Sequence, residues 1–209
     1  EAAAVAASLG LDVTVIEAAS RILKRVAAPE TSDYIRDLHE RHGVTIREGV
    51  RPTRLTGDGR VTGAVLDDGT ELSADIVIVG IGITPCTALA ETAGIEVENG
   101  IKVDARGRTS APHVWAAGDC ASLPWRGARI RLESVQNAID QAECVAENLA
   151  GAGKDYDPKP WFWSDQYDLK LQIAGLNTGY DRVVVRPGTS HWYYSGDRLL
   201  AVDAMNDPR

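Results

Sequence analysis

The opening of the chain constrains its fold more than any other stretch. EAAAVAASLG reads as an Ala-rich helix closed at Gly10, and LDVTVIE as a short β-branched strand ending on Glu17. The helical pattern is already running at residue 1, with nothing before it that could cap it. Helix, glycine turn, strand and acidic residue make the second half of a βαβ unit, so the first strand and its loop are expected to precede Glu1.

The rest of the chain extends that α/β pattern. Pro29 to Arg41 is a second helical segment with Tyr34, Ile35 and Leu38 on one stripe, ended by Gly43, and VTIREG is the next strand. Asp67-Asp68-Gly69 marks a hairpin between Val61–Leu66 and Glu71–Leu72. ADIVIVGIG is almost wholly apolar and predicts a strand buried on both faces, as in a parallel sheet. Thr84-Pro85 breaks it, a short helix runs to about Thr92, and strand-like pieces surround Gly100 and Gly107. HVWAAGD predicts a strand ending on Gly118-Asp119, and Asn137 to Leu149 an amphipathic helix. Gly151 to Pro160 reads as a linker, and strands predominate beyond it, among Trp161, Trp163 and Trp192.

Bulk properties narrow the function. Of 209 residues, 44% are apolar and 25% charged, with a net charge of −8 and no block of Lys or Arg. That argues against nucleic acid and anionic membranes. No apolar run is long enough to span a bilayer, and the first residues lack the features of a signal peptide. Cys86, Cys120 and Cys144 are odd in number and far apart, which fits a reducing cytoplasm. They read as small buried apolar residues, and His39 and His42 as part of a solvated helix face rather than a metal site.

Four constellations could carry chemistry. Glu17, at a strand end, can accept hydrogen bonds from an adenosine ribose and would repel a 2′-phosphate, favouring NAD over NADP. At Gly118-Asp119, glycine lets a ligand approach the backbone and Asp119 offers a carboxylate for a sugar hydroxyl. RLESVQNA leads into a helix whose first N–H groups suit an electron-rich ligand edge, with Ser134 or Asn137 as the N-cap. WFWSDQY is an aromatic cluster that, on composition alone, reads as a core anchor.

Taken together, TSAPHVWAAGDCA, RLESVQNAIDQA, WFWSDQYDLKLQIAG and GDRLLAVDAMNDP resemble the FAD-dependent pyridine nucleotide-disulfide oxidoreductase superfamily. Within it the chain is most similar to the ferredoxin reductases of bacterial oxygenase systems, the putidaredoxin reductase and biphenyl dioxygenase reductase type. The resemblance implies glutathione-reductase-like FAD/NAD(P)-binding Rossmann domains, in part, and the start of an α+β C-terminal reductase domain. The implied boundaries are 1–82 for NAD binding, 83–152 for the returning segment of the FAD domain, and 158–209 for the C-terminal domain.

The resemblance also assigns roles. Glu1 matches the acid after the nucleotide glycine loop, near the nicotinamide, and Glu17 the ribose-binding acid. Gly80 and Gly82 match the turn between the two nucleotide domains. Gly118 and Asp119 match the contact to the ribityl-phosphate part of FAD, Val135 a backbone contact to the flavin ring, and Trp163 an aromatic beside that ring. The implied reaction passes electrons from NADH through FAD to a ferredoxin or rubredoxin, with no side-chain nucleophile and no metal ligand. The implied alternatives keep the fold and change the acceptor to a quinone, monodehydroascorbate or oxygen, or give an apoptosis-inducing-factor-like interaction protein. Both glycine loops lie outside these residues, so the isolated chain is expected to bind FAD poorly. For an acidic ferredoxin, a local basic patch is needed, and Arg126, Arg129 and Arg131 are candidates.

Overall fold

Alanine loses least on entering a helix, and the Ala-rich opening forms α1 (Ala2–Ser8) in the computed structural model, which describes residues 1–207. Gly10 follows at φ +79°, a left-handed turn that glycine adopts without strain. β1 (Thr14–Glu17) pairs in parallel with β2 (Thr45–Glu48), and α2 (Pro29–Arg41) lies between them in sequence. Pro29 sits in the first turn of α2, where a missing N–H costs no helical bond. Ile35 and Leu38 are buried, and Tyr34 is half-buried. Arg36 on α2 reaches both oxygens of Glu48 on β2, at 2.8 and 3.0 Å, and Asp33 at 2.6 Å. These bonds fix helix to strand as the βαβ pattern requires.

The next segment is an antiparallel meander of β3 (Pro52–Thr56), β4 (Gly63–Leu66) and β5 (Glu71–Ser73). The turn between β4 and β5 falls at Asp67 to Gly69, as its residues predict. Strand β3 was not anticipated; four of its five residues are exposed, so no apolar alternation announces it.

The apolar run after it departs from expectation. Residues 74–87 contain no strand, and Ile76, Ile78, Val79 and Ile81 are 70, 71, 66 and 89% exposed. A parallel strand exists only through a neighbour's hydrogen bonds, and among the described residues the sheet of β1 and β2 has only those two strands.

The chain divides into two compact units, one of residues 1–81, 163–172 and 177 onward, the other of residues 82–162 and 173–176. The second unit holds α3 (Ala88–Thr92), a sheet of β6 (Ile101–Lys102), β7 (Ala121–Trp125) and β8 (Ala128–Ile130), and α4 (Val135–Leu149). Its core gathers Val103, Ala116, Ala121 and Leu123, with Tyr156 packed against it. HVWAAGD is not a strand: Trp115 makes a single bridge to Arg108, Gly118–Cys120 is a 3-10 turn, and the strand comes after it, at Ala121. Helix α4 is amphipathic in an unusual sense. Its buried stripe is Asn137, Gln141, Cys144 and Asn148, while Val135 and Ile139 are exposed. The buried amides hold loops in place. Asn148 donates to the carbonyls of Lys154 (2.8 Å) and Arg106 (3.1 Å) and accepts the Lys154 N–H (2.7 Å).

The C-terminal segment forms β9 (Trp161–Gln166), β10 (Leu169–Gly175), β11 (Arg182–Arg186), β12 (Ser190–Ser195) and β13 (Arg198–Met205), in the spatial order β11-β12-β13-β10-β9. Pro208 and Arg209, at the end of the GDRLLAVDAMNDP stretch, lie outside the described residues. Within the first unit, one face of this sheet is bonded to α2. Thr31, fully buried, donates to Asp203 Oδ2 at 2.6 Å and lies 2.7 Å from His191 Nδ1. Because the Thr31 proton goes to Asp203, His191 is the donor in that pair. Tyr193, also fully buried, donates to the same Asp203 oxygen at 2.8 Å.

Further along α2, His39 is 6% exposed, which overturns the reading of a solvated face. Its Nε2–H donates to Gln166 Oε1 (2.6 Å), and the Tyr167 hydroxyl, 3.0 Å away, donates to Nδ1. His42 stacks on the Tyr167 ring at 3.7 Å. The cysteine reading holds for Cys144, which is buried; Cys120 is half-buried and Cys86 exposed, and all three are free.

Burial lowers the pKa of both His39 and His191 below the ordinary imidazole value. Each therefore contributes stability that is fully present above about pH 6.5, the unfolded value, and lost as pH falls through its folded value. Asp203, pushed up by burial, acts oppositely: its contribution is lost as pH rises through its folded value. His39→Gln removes one acid-sensitive contribution, so on acidification from neutral to mildly acidic pH its urea-unfolding midpoint should fall less, or rise more, than that of the wild type. Parallel slopes for the two proteins would exclude His39 as a source.

Candidate functional site

In the second unit, α4 packs against the turn before β7. Ser134 caps α4, its hydroxyl accepting the Asn137 N–H at 3.2 Å. That leaves first-turn N–H groups beginning at Val135 without an intrahelical partner, at the positive end of a 15-residue helix. Val135 is 59% exposed.

Gly118 sits against this helix at φ +78°, and its N–H donates to the buried Gln141 Oε1 at 2.9 Å. A Cβ built on Gly118 would lie 3.5 Å from the Ala138 Cβ, so the buried turn packs closely on the helix. Arg131 Nη1 donates to the Asp119 carbonyl at 3.0 Å and fixes the turn. The Asp119 carboxylate is exposed and makes no hydrogen bond among the described residues. Gly118, Asp119 and Val135 are therefore brought together: a free carboxylate, a side-chain-free backbone and unpaired N–H donors. This donor set fits a ligand with a polyol hydroxyl and an electron-rich ring edge, and so fits FAD.

In the first unit, Glu17 stands at the end of β1 opposite Glu48 of β2. Arg36 neutralises Glu48, so the paired acids do not simply repel. Glu17 Oε1 accepts the Ala19 N–H at 2.7 Å, which orients the carboxylate and leaves Oε2 for a hydroxyl donor. Glu1 is exposed, and its Oε1 accepts the Asp165 N–H of β9 at 3.1 Å. That bond ties the start of α1 to the strand that carries Trp163. Trp163 is 44% exposed, not the core anchor that composition predicts. Gly80 and Gly82 are exposed in the strand-free segment, one in each unit.

Gln141 and Glu48 were not singled out from sequence, and Arg131 only as a member of a basic patch. The only sequence trace of Gln141 is its place in the polar series Asn137, Gln141, Asn148, which reads as a solvated face until the fold shows it buried. The candidate basic patch is corrected. Arg131 is ion-paired with Glu133 (2.7 Å), with a side chain only 8% exposed, and Arg129 is held by the Val103 and Ser122 carbonyls. Arg126 lies over the Trp125 ring at 4.2 Å. Among the described residues, no group of three or more His, Cys, Asp or Glu is placed to hold a metal ion, and no helix is long and apolar enough to cross a membrane.

The chain is similar to known proteins along nearly its whole length. Residues 1–142 match the family model described as pyridine nucleotide-disulphide oxidoreductase, and residues 161–209 match the reductase C-terminal model. A ferredoxin–NAD(P)(+) reductase of Sphingomonas is 47% identical over 99% of this chain and 52% of its own length. Putidaredoxin reductase of Pseudomonas putida is 42% identical over 100% of this chain and 52% of its own. The chain thus spans about half the length of the curated relatives it matches. Among solved structures, the ferredoxin reductase of the CYP199A2 system from Rhodopseudomonas palustris superposes with a TM-score of 0.95 at 46% identity, covering 98% of this chain and 53% of that one. The covalent putidaredoxin reductase–putidaredoxin complex gives 0.94 at 41% identity, over 99% and 52%.

Proposed function

Because the chain belongs to the pyridine nucleotide-disulphide oxidoreductase family, we propose that the full polypeptide carrying it is an NADH-oxidising FAD reductase serving a ferredoxin or rubredoxin of an oxygenase system. The observation that carries this reading is the exposed Asp119 carboxylate, without a hydrogen bond among the described residues, at the turn that packs against α4 and its first-turn N–H groups. The naming of its relatives as ferredoxin, rhodocoxin and rubredoxin reductases supports the acceptor class. We assign residues 1–82 to nicotinamide binding, 83–152 to flavin binding and 158–209 to the C-terminal domain.

FAD, when bound, accepts a hydride and releases electrons singly. This chain's residues bind and orient. Asp119 takes a ribityl hydroxyl, and the α4 N–H groups face the flavin ring edge at Val135. Glu17 Oε2 takes a ribose hydroxyl of NADH, and its charge disfavours a 2′-phosphate. By the family resemblance, Glu1, Gly80 and Gly82 would serve the nicotinamide and Trp163 the flavin. No cysteine pair is formed, so the dithiol route that names the family has no carrier among the described residues. We assign the protein to a reducing cytoplasm, a reading that free cysteines and an NADH substrate support.

Glu17→Ala tests the nucleotide assignment. Losing one charge-assisted hydrogen bond should raise the KM for NADH about tenfold, leave the KM for the protein acceptor unchanged, and narrow the preference over NADPH. An unchanged KM for NADH would remove Glu17 from the site.

A further inference from the structure

Gly118 opens the 3-10 turn that carries Asp119, and as its first residue it has no acceptor for its N–H within the turn. The residue is buried, so that N–H needs a partner from elsewhere in the chain. The partner is Gln141 Oε1 at 2.9 Å, on a side chain only 1% exposed. Among the described residues no other acceptor takes this N–H. Ala138, three residues earlier on α4, presents only a methyl group to Gly118, so the turn comes close enough for Gln141 to reach it. On the other side, Arg131 Nη1 donates to the Asp119 carbonyl at 3.0 Å, and Arg131 is itself paired with Glu133 at 2.7 Å. The backbone of Gly118 and Asp119 is thus held at both ends, by α4 and by the segment that leads into it. Asn137, one turn before Gln141, donates to the Leu132 carbonyl at 3.3 Å and accepts the Tyr156 hydroxyl at 3.0 Å. One buried polar stripe therefore fixes both the start of α4 and the turn beside it.

We infer that Gln141 is a positioning residue for the flavin: by accepting the Gly118 N–H it sets where the Asp119 carboxylate stands relative to the first-turn N–H groups of α4. The inference rests on the placement of flavin at Asp119 and Val135. The Asp119 side chain makes no hydrogen bond among the described residues, so its backbone alone aims it. That backbone begins at a glycine, the residue with the most conformations open to it, held here at φ +78°. Without the Gln141 bond the turn samples other conformations, and the ligand has to order it on binding. Asn148, two turns further along the same stripe, pins the Lys154 and Arg106 loops and has no such link to Asp119. The Gln141 bond lies within the second unit and between buried groups, so it requires no open surface.

A double-mutant cycle tests it. The full polypeptide is prepared as apoprotein in four forms, wild type, Q141M, D119A and Q141M/D119A, and each is titrated with FAD by fluorescence and unfolded in urea. Methionine fills the volume of glutamine without its acceptor. Q141M should weaken FAD about three- to tenfold in the wild-type background. With Asp119 already gone there is no carboxylate left to aim, so adding Q141M should change affinity less than about twofold. The fall in urea midpoint caused by Q141M should be the same in both backgrounds, because the buried N–H loses its acceptor either way. Affinity losses that multiply in the double variant would make Gln141 a structural residue only and overturn the inference, as would undiminished affinity in Q141M. Undiminished affinity in D119A would overturn the flavin reading of this turn, and the inference with it. Should Q141M not fold, Q141N, which keeps the amide but withdraws it from Gly118 by one carbon, decides by the same cycle.

Discussion

Tyr193→Ala should destabilise the first unit by about 3–5 kcal/mol, the usual cost of removing a buried aromatic ring. The ring is fully buried, packs with Ala28 and Ala201, and meets Tyr180 edge-on at 5.2 Å. Its hydroxyl donates to Asp203, whose other carboxylate oxygen, Oδ1, is buried with no partner. Loss of the tyrosine therefore leaves a cavity and takes one of two donors from a carboxyl group that already lacks bonds. Tyr193→Phe keeps the ring and removes only the donor, and should cost about 1–3 kcal/mol. Urea denaturation of both variants reads the difference. Equal losses would mean that the hydrogen bond, not the packing, holds the sheet to α2.

Asp119→Ala in the full polypeptide should weaken FAD binding about 10- to 100-fold, the loss of a charge-assisted hydrogen bond of roughly 1.5–3 kcal/mol. The carboxylate has no hydrogen bond within the described chain, so its removal leaves the fold intact, and the unfolding midpoint of the apoprotein should not move. Gly118→Ala should also weaken FAD, for a different reason. It places a methyl against Ala138 at a φ of +78° that L-residues rarely adopt. Flavin titration of the apoproteins, followed by fluorescence, measures both. Undiminished affinity in Asp119→Ala would remove the carboxylate from the flavin site.

Local rules made much of this molecule legible. α1, α2 and β1 lie where their alanines, Pro29 and β-branched residues put them, because each is decided by its own sequence. Ile76 to Ile81 was misread because a strand is a property of two segments, and the apolar pattern says nothing of whether a neighbour is present to pair with it. HVWAAGD failed at the boundary, since the left-handed Gly118 turns the chain before the strand begins. At the site, Asp119 and Glu17 were visible as acids beside a turn and a strand end. Gln141 and His39 were not, because a polar side chain in a helix looks solvated until a partner from distant sequence is known, Gly118 for one and Gln166 for the other.

The central claim is electron flow from NADH through flavin to an iron–sulfur protein. Its most direct test is anaerobic mixing of the full, FAD-loaded polypeptide with NADH, first alone and then with oxidised putidaredoxin, followed by absorbance. The expected result is bleaching of the flavin bands by one equivalent of NADH, their return on adding putidaredoxin, and matching reduction of its iron–sulfur cluster. Flavin that stays oxidised with NADH, or stays bleached in the presence of the oxidised acceptor, would contradict it.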